Sequence, residues 1–144
     1  MRISHHYLTA LVMGATGFAL PTNGQEDPSR DALIVETILR IEGFDLSGST
    51  KAQGAVKRYL NDNWGGERYL DLIERFDLKE EAPGLLRLAL KKSESPAGAE
   101  AATLLVSLGK GALLSETLET GDEVAAGQAA KAIAHSGDTT LIAA

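Results

Sequence analysis

The chain has 144 residues, 44% of them hydrophobic and 24% charged, which is enough for one domain with a modest core and too little for two. Its formal net charge of −6 argues against nucleic acid and anionic lipid as partners, because a surface of the same sign repels both. Cysteine is absent, which excludes disulfides, zinc–cysteine clusters and covalent attachment of a c-type haem.

The N-terminus reads as a leader. Arg2 supplies a positive start, and Leu8 to Leu20 form an uncharged, mostly apolar stretch of 13 residues. Thr22 and Gly24 then place small residues at −3 and −1 of a cut before Gln25, the layout of a secretory signal peptide over residues 1–24. A cut after Ala19, with Gly17 at −3, is the weaker alternative. The stretch is short for a bilayer span and is interrupted by Thr9, Gly14, Thr16 and Gly17, so no stable membrane insertion is expected after cleavage. The expected location is periplasmic or extracellular. Cleavage removes one arginine and no acid, taking the net charge to −7.

Residues 25–30 read as a short tether, with a helix starting after Asp27 or Ser29. Leu33, Ile34, Thr37, Ile38 and Ile41 recur at helical spacing as its apolar face, and Gly43 ends it. Phe44 and Leu46 sit in a loop where they can plug a seam between helices. Ser49 or Thr50 caps a second helix with Ala52, Val56, Tyr59 and Leu60 on one face. A third helix runs from Glu67 to Phe76, burying Tyr69, Leu72, Ile73 and Phe76, with Glu67, Asp71 and Arg75 at four-residue spacing on a solvated face and Asp71 positioned to pair with Arg75.

Lys79 to Ala82 form a charged connector, and Pro83 fits the first turn of a fourth helix built on Leu85, Leu86, Leu88, Ala89 and Leu90. Pro96 is well placed to start the next helix, read over Ala99 to Leu108 and stopped by Gly109. A shorter helix over Leu113–Leu118 ends at Gly121, and Asp122 caps another from Glu123 to His135. No segment alternates as a half-buried strand does, so the fold is expected to be all-α.

The last of these helices repeat an earlier pattern. Ala101, Leu105, Gly109, Leu113 and Leu114 return 28 residues later as Ala129, Ile133, Gly137, Leu141 and Ile142. A period in this range marks a short right-handed array of stacked helical hairpins, a HEAT-like α-solenoid, spanning residues 31–144. Thr139 to Ala144 begin a further helix without a polar capping repeat, so the array reads as incomplete at its C-terminal end, its last apolar face at Leu141 and Ile142 awaiting a cover.

Several groups invite a chemical reading. His135 is the one histidine after the leader, and the helix dipole is enough to explain it at a helix C-terminus. Glu67, Asp71 and Glu74 lack the calcium-hand loop arrangement and read as a solvated face. Gly43, Gly48 and Gly54 form no phosphate loop, and Ser47 and Ser49 lack a nucleophile elbow and a base. No catalytic, cofactor or metal site is expected, and the chain is read as a non-enzyme. Trp64, between Asn63 and Gly65 and near Tyr59 and Tyr69, is the one aromatic cluster; these three, with Leu141 and Ile142, are the candidate contacts for a protein partner.

The run Ile41-Glu42-Gly43-Phe44-Asp45-Leu46-Ser47-Gly48, followed by Lys51 to Leu60, resembles a stretch of large exported bacterial proteins of the PVC-type c-haem family. Arg75-Phe76-Asp77-Leu78-Lys79, Pro83-Gly84-Leu85-Leu86, and Pro96-Ala97-Gly98 with Glu100-Ala101 fit the same region. The resemblance covers the chain from about Asp31 onward. It implies the HEAT-like helical part of such a protein, which there precedes a cytochrome c domain. The haem-attachment motif is missing here, so by resemblance the chain corresponds to the helical part without the haem part. The repeat and the lack of a catalytic constellation point to an exported interaction scaffold; the alternative is an accessory or truncated N-terminal region of a larger haem-containing redox protein.

Overall fold

The computed structural model describes residues 27–137, and all its regular elements are helical. In chain order they are α1 (Pro28–Arg40), α2 (Thr50–Asp62), α3 (Glu67–Phe76), a 3-10 turn (Lys79–Glu81), α4 (Ala82–Lys91), α5 (Pro96–Ser107), α6 (Ala112–Thr120) and α7 (Glu123–Ser136). The stretch read as a leader, Leu141, Ile142 and the further helix expected after Gly137 lie outside the described residues.

The helix starts follow local chemistry. Asp27, Ser49, Ser95 and Asp122 each accept a backbone N–H of the first turn with a side-chain oxygen, at 2.9, 3.2, 3.4 and 2.8 Å. Pro28, Pro83 and Pro96 stand in first turns, where a missing N–H costs nothing. The N-cap at Asp27 starts α1 inside the stretch read as a tether. At the other ends, Gly109 and Gly137 take left-handed backbone with φ of +71° and +67°. Asp77 does the same after α3 at φ +51°, the one non-glycine residue with positive φ among those described, and Leu78 N–H closes the turn onto Ile73 O.

The apolar face of α1 differs from the sequence reading. Asp31, Val35 and Ile38 face inward, while Leu33 is 68% and Ile41 46% exposed and Thr37 is exposed. Long-range contacts accompany this face: Asp31 meets Arg58 of α2, and Val35 and Ile38 join the core cluster. The helix also ends at Arg40, before Gly43. Arg75 departs from expectation too. Rather than pairing with Asp71, it donates to the orphan carbonyls of Leu39 and Ile41 at 2.8 and 2.7 Å, closing the end of α1. Asp71 instead accepts from Arg68, which also reaches Glu36.

α1 packs on α2, α4 on α5, and α6 on α7, while α5 lies against both α3 and α7. Tyr69, Leu72, Ile73, Leu85, Leu88, Leu105 and Leu114 are essentially fully buried and make one continuous core. The joint between α4 and α5 is unusually close. A Cβ on Gly98 would fall 2.0 Å from Lys92 O, so this helix start can approach the preceding turn only as glycine.

Candidate recognition groove

The loop between α1 and α2 is shaped by its own polar groups. Asp45 Oδ1 accepts from Ser47 N–H at 2.9 Å and from the Ser47 hydroxyl at 2.6 Å, and these bonds hold its carboxyl below the usual carboxylate range. Gln53 on α2 reaches back, its Nε2 donating to Leu46 O and Ser47 O at 3.1 and 3.0 Å. Phe44 meets Phe76 edge to face, with centroids 6.4 Å apart. The loop is thereby pinned across the end of α3.

Between this loop, α2 and the α3–α4 connector lies an open groove of about 550 Å³. Val56, Leu60 and Leu78 form its buried floor, with Leu46 and Phe76 half-buried beside them. One wall carries Thr50, Gln53 and Lys57 from the exposed side of α2. The other carries Asp77, Glu80 and Glu81 from the connector. The left-handed turn at Asp77 swings the chain from α3 into the 3-10 turn and so sets these acids along one rim. Asp77 pairs with Lys79 at 3.0 Å. Glu81 accepts the Tyr69 hydroxyl at 3.2 Å. Burial first, and then the Glu81 charge, push the Tyr69 phenol well above its ordinary range, so it stays protonated and donates.

The aromatic residues expected to meet a partner are placed differently from one another. Tyr69 is 1% exposed and belongs to the core, where it offers no surface. Tyr59 is half-buried against that core. Trp64 is half-buried, with its Nε1–H donating to Gly84 O at 3.2 Å and Arg87 lying 4.3 Å over its ring. Trp64 and Tyr69 both converge on Gly84, the one bonding its carbonyl and the other filling the space where a Cβ would be. Leu141 and Ile142 are outside the described residues.

His135 sits at the end of α7 with Nδ1 2.9 Å from Lys131 O, in the last turn as its position implied. Among the described residues no three His, Cys, Asp or Glu side chains are grouped as a metal site needs. The groove was not legible as a site in the sequence. Its one local signal was an aspartate where helix ends favour glycine, followed by two more acids, and the sequence reading took that stretch for a connector.

No family model matches the chain, and no curated protein or solved structure matches it either. Among the described residues no single helix is long and apolar enough to cross a membrane.

Proposed function

We propose that this chain is an exported, non-catalytic scaffold, a short HEAT-like array of stacked helical hairpins that acts through protein–protein contact. The repeat in space carries the reading. Ala101 and Leu105 of α5 and their counterparts Ala129 and Ile133 of α7 are all buried, and both helices end in a left-handed glycine, Gly109 and Gly137. α5 and α7 pack against each other, as the first helices of successive hairpins in such an array would. The contact surface is the groove beside Asp77–Glu81, where apolar floor and charged walls meet as they do in recognition sites.

The test uses the purified chain and the exported fraction of its own cell. One protein should bind saturably at fixed stoichiometry, and the native chain should begin at Gln25. Saturable turnover of a small substrate, abolished by changing defined polar residues, would overturn the reading.

A second reading is favoured by one observation. α5 has helices on both sides and buries Ala102, whereas its counterpart Ala130 on α7 is exposed, as are Gly127 and Ala134. An open face of small residues suits a following repeat, so the chain would be the accessory or truncated N-terminal region of a larger haem-containing redox protein. A reading frame downstream of Ala144 carrying C-x-x-C-H would decide for it.

A further inference from the structure

We infer that the groove between α2 and the α3–α4 connector takes an extended segment of a partner protein in which an apolar side chain is followed or preceded by a lysine or arginine. This rests on the scaffold reading above and specifies the chemistry of its partner. Leu46 and Phe76 keep part of their surface open above a floor that is otherwise buried, so covering them with an apolar side chain removes apolar area from water. The charge is lopsided. Asp77, Glu80 and Glu81 line one rim, and Lys57 alone stands opposite.

Glu80 is exposed and has no ion-pair partner among the described residues, while Glu81 is held in place by the Tyr69 hydroxyl. A cation beside the apolar anchor therefore meets one free and one oriented carboxylate. Asp77 adds a third, shared with Lys79 in an exposed pair that exchanges at little cost. Lys57 faces the other side of the segment and disfavours a second basic residue there. The groove is open rather than enclosed, and among the described residues no buried side-chain donor or acceptor lacks a partner. An open groove with an apolar floor and polar groups spread along its rims suits a chain segment better than an enclosed small ligand.

The probe is a displayed library of random heptapeptides selected on the full chain, followed by titration of a synthetic winner. The expected winners pair an apolar residue with lysine or arginine. Exchanging that basic residue for glutamate, or changing Glu80→Lys in the groove, should each weaken binding about tenfold, and added salt should weaken it further. Glu80 and Lys57 are exposed, so Glu80→Lys and Lys57→Ala leave the fold intact, which an unchanged melting temperature would verify. Winners without a basic residue, binding indifferent to Glu80→Lys, or binding lost instead with Arg87→Ala beside Trp64 would overturn the inference. A partner bound stoichiometrically at another face would also remove it, while leaving the scaffold reading in place.

Discussion

Arg58 of α2 grips Asp31 of α1 with two parallel bonds, Nε–H to Oδ2 at 2.7 Å and Nη2–H to Oδ1 at 2.9 Å. Asp31 is 4% exposed, so the pair fixes the rotation of α1 as well as its distance from α2. Asp31→Ala should cost about 1–3 kcal/mol, less than breaking a fully buried pair, because a third of the Arg58 side chain still reaches water. Denaturant unfolding of the two proteins measures it, and an unchanged midpoint would mean that the pair does not set the α1 face.

The same pair makes stability depend on pH. The hydrogen bonds from Arg58 first, and then its charge, lower the Asp31 pKa below its unfolded value against the opposing effect of burial. A group lowered in this way contributes stability that is fully present above the unfolded pKa of about 4 and is lost as pH falls through the folded value. Asp27, Asp45 and Glu94 are lowered by Ser29, Ser47 and Lys131 and act in the same direction. The melting temperature should therefore fall from about pH 5 downward. Asp31→Asn should reduce that slope, and a slope equal to that of the parent would contradict the assignment.

Two glycines in helices should respond oppositely to alanine. At Gly98 the added carbon meets Lys92 O at 2.0 Å, a backbone atom that can move only with the turn, and the expected cost is about 3 kcal/mol. At Gly127, within α7, a Cβ meets nothing within 4 Å, and alanine should stabilise by about 0.5–1 kcal/mol through helix propensity. Thermal melts of both variants compare the two directly.

A third glycine is coupled to a specific side chain. A Cβ on Gly84 would lie 2.2 Å from the Tyr69 hydroxyl but 3.6 Å from the ring carbon that carries it. Gly84→Ala should therefore be costly in the parent and much milder in a Tyr69→Phe background. The double-mutant cycle should give a coupling energy of about 1–2 kcal/mol. Additive effects would show that Tyr69 does not occupy the space that Gly84 leaves.

Helix boundaries were legible because they are local. Asp27, Ser49 and Asp122 carry the cap oxygens that the sequence marked, and Pro83, Pro96, Gly109 and Gly121 stand at the starts and stops expected of them. What the sequence concealed is long-range. The inward face of α1 depends on Arg58, 27 residues away, and the partner of Arg75 is a carbonyl pair more than 30 residues back. Helical spacing alone leaves Leu33 and Val35 equal candidates for burial, and contacts made only on folding, the Asp31 pair and the core packing of Val35 among them, separate the two. The groove was hidden for the same reason, since its walls come from α2 and the connector after α3, which become neighbours only on folding.

Site-specific photo-crosslinking reads out most directly whether a partner protein is recognised in the groove. A photoreactive residue replacing exposed Gln53, or Lys57 in case loss of the Gln53 loop bonds matters, is introduced in the chain's own cell, with exposed Glu119 on α6 as the control position. The groove positions should give one adduct and Glu119 none, and the sequenced crosslinked segment should carry an apolar residue beside lysine or arginine, all lost with Glu80→Lys. Equal labelling from all three positions, or a crosslinked segment bearing neither feature, would contradict recognition in the groove.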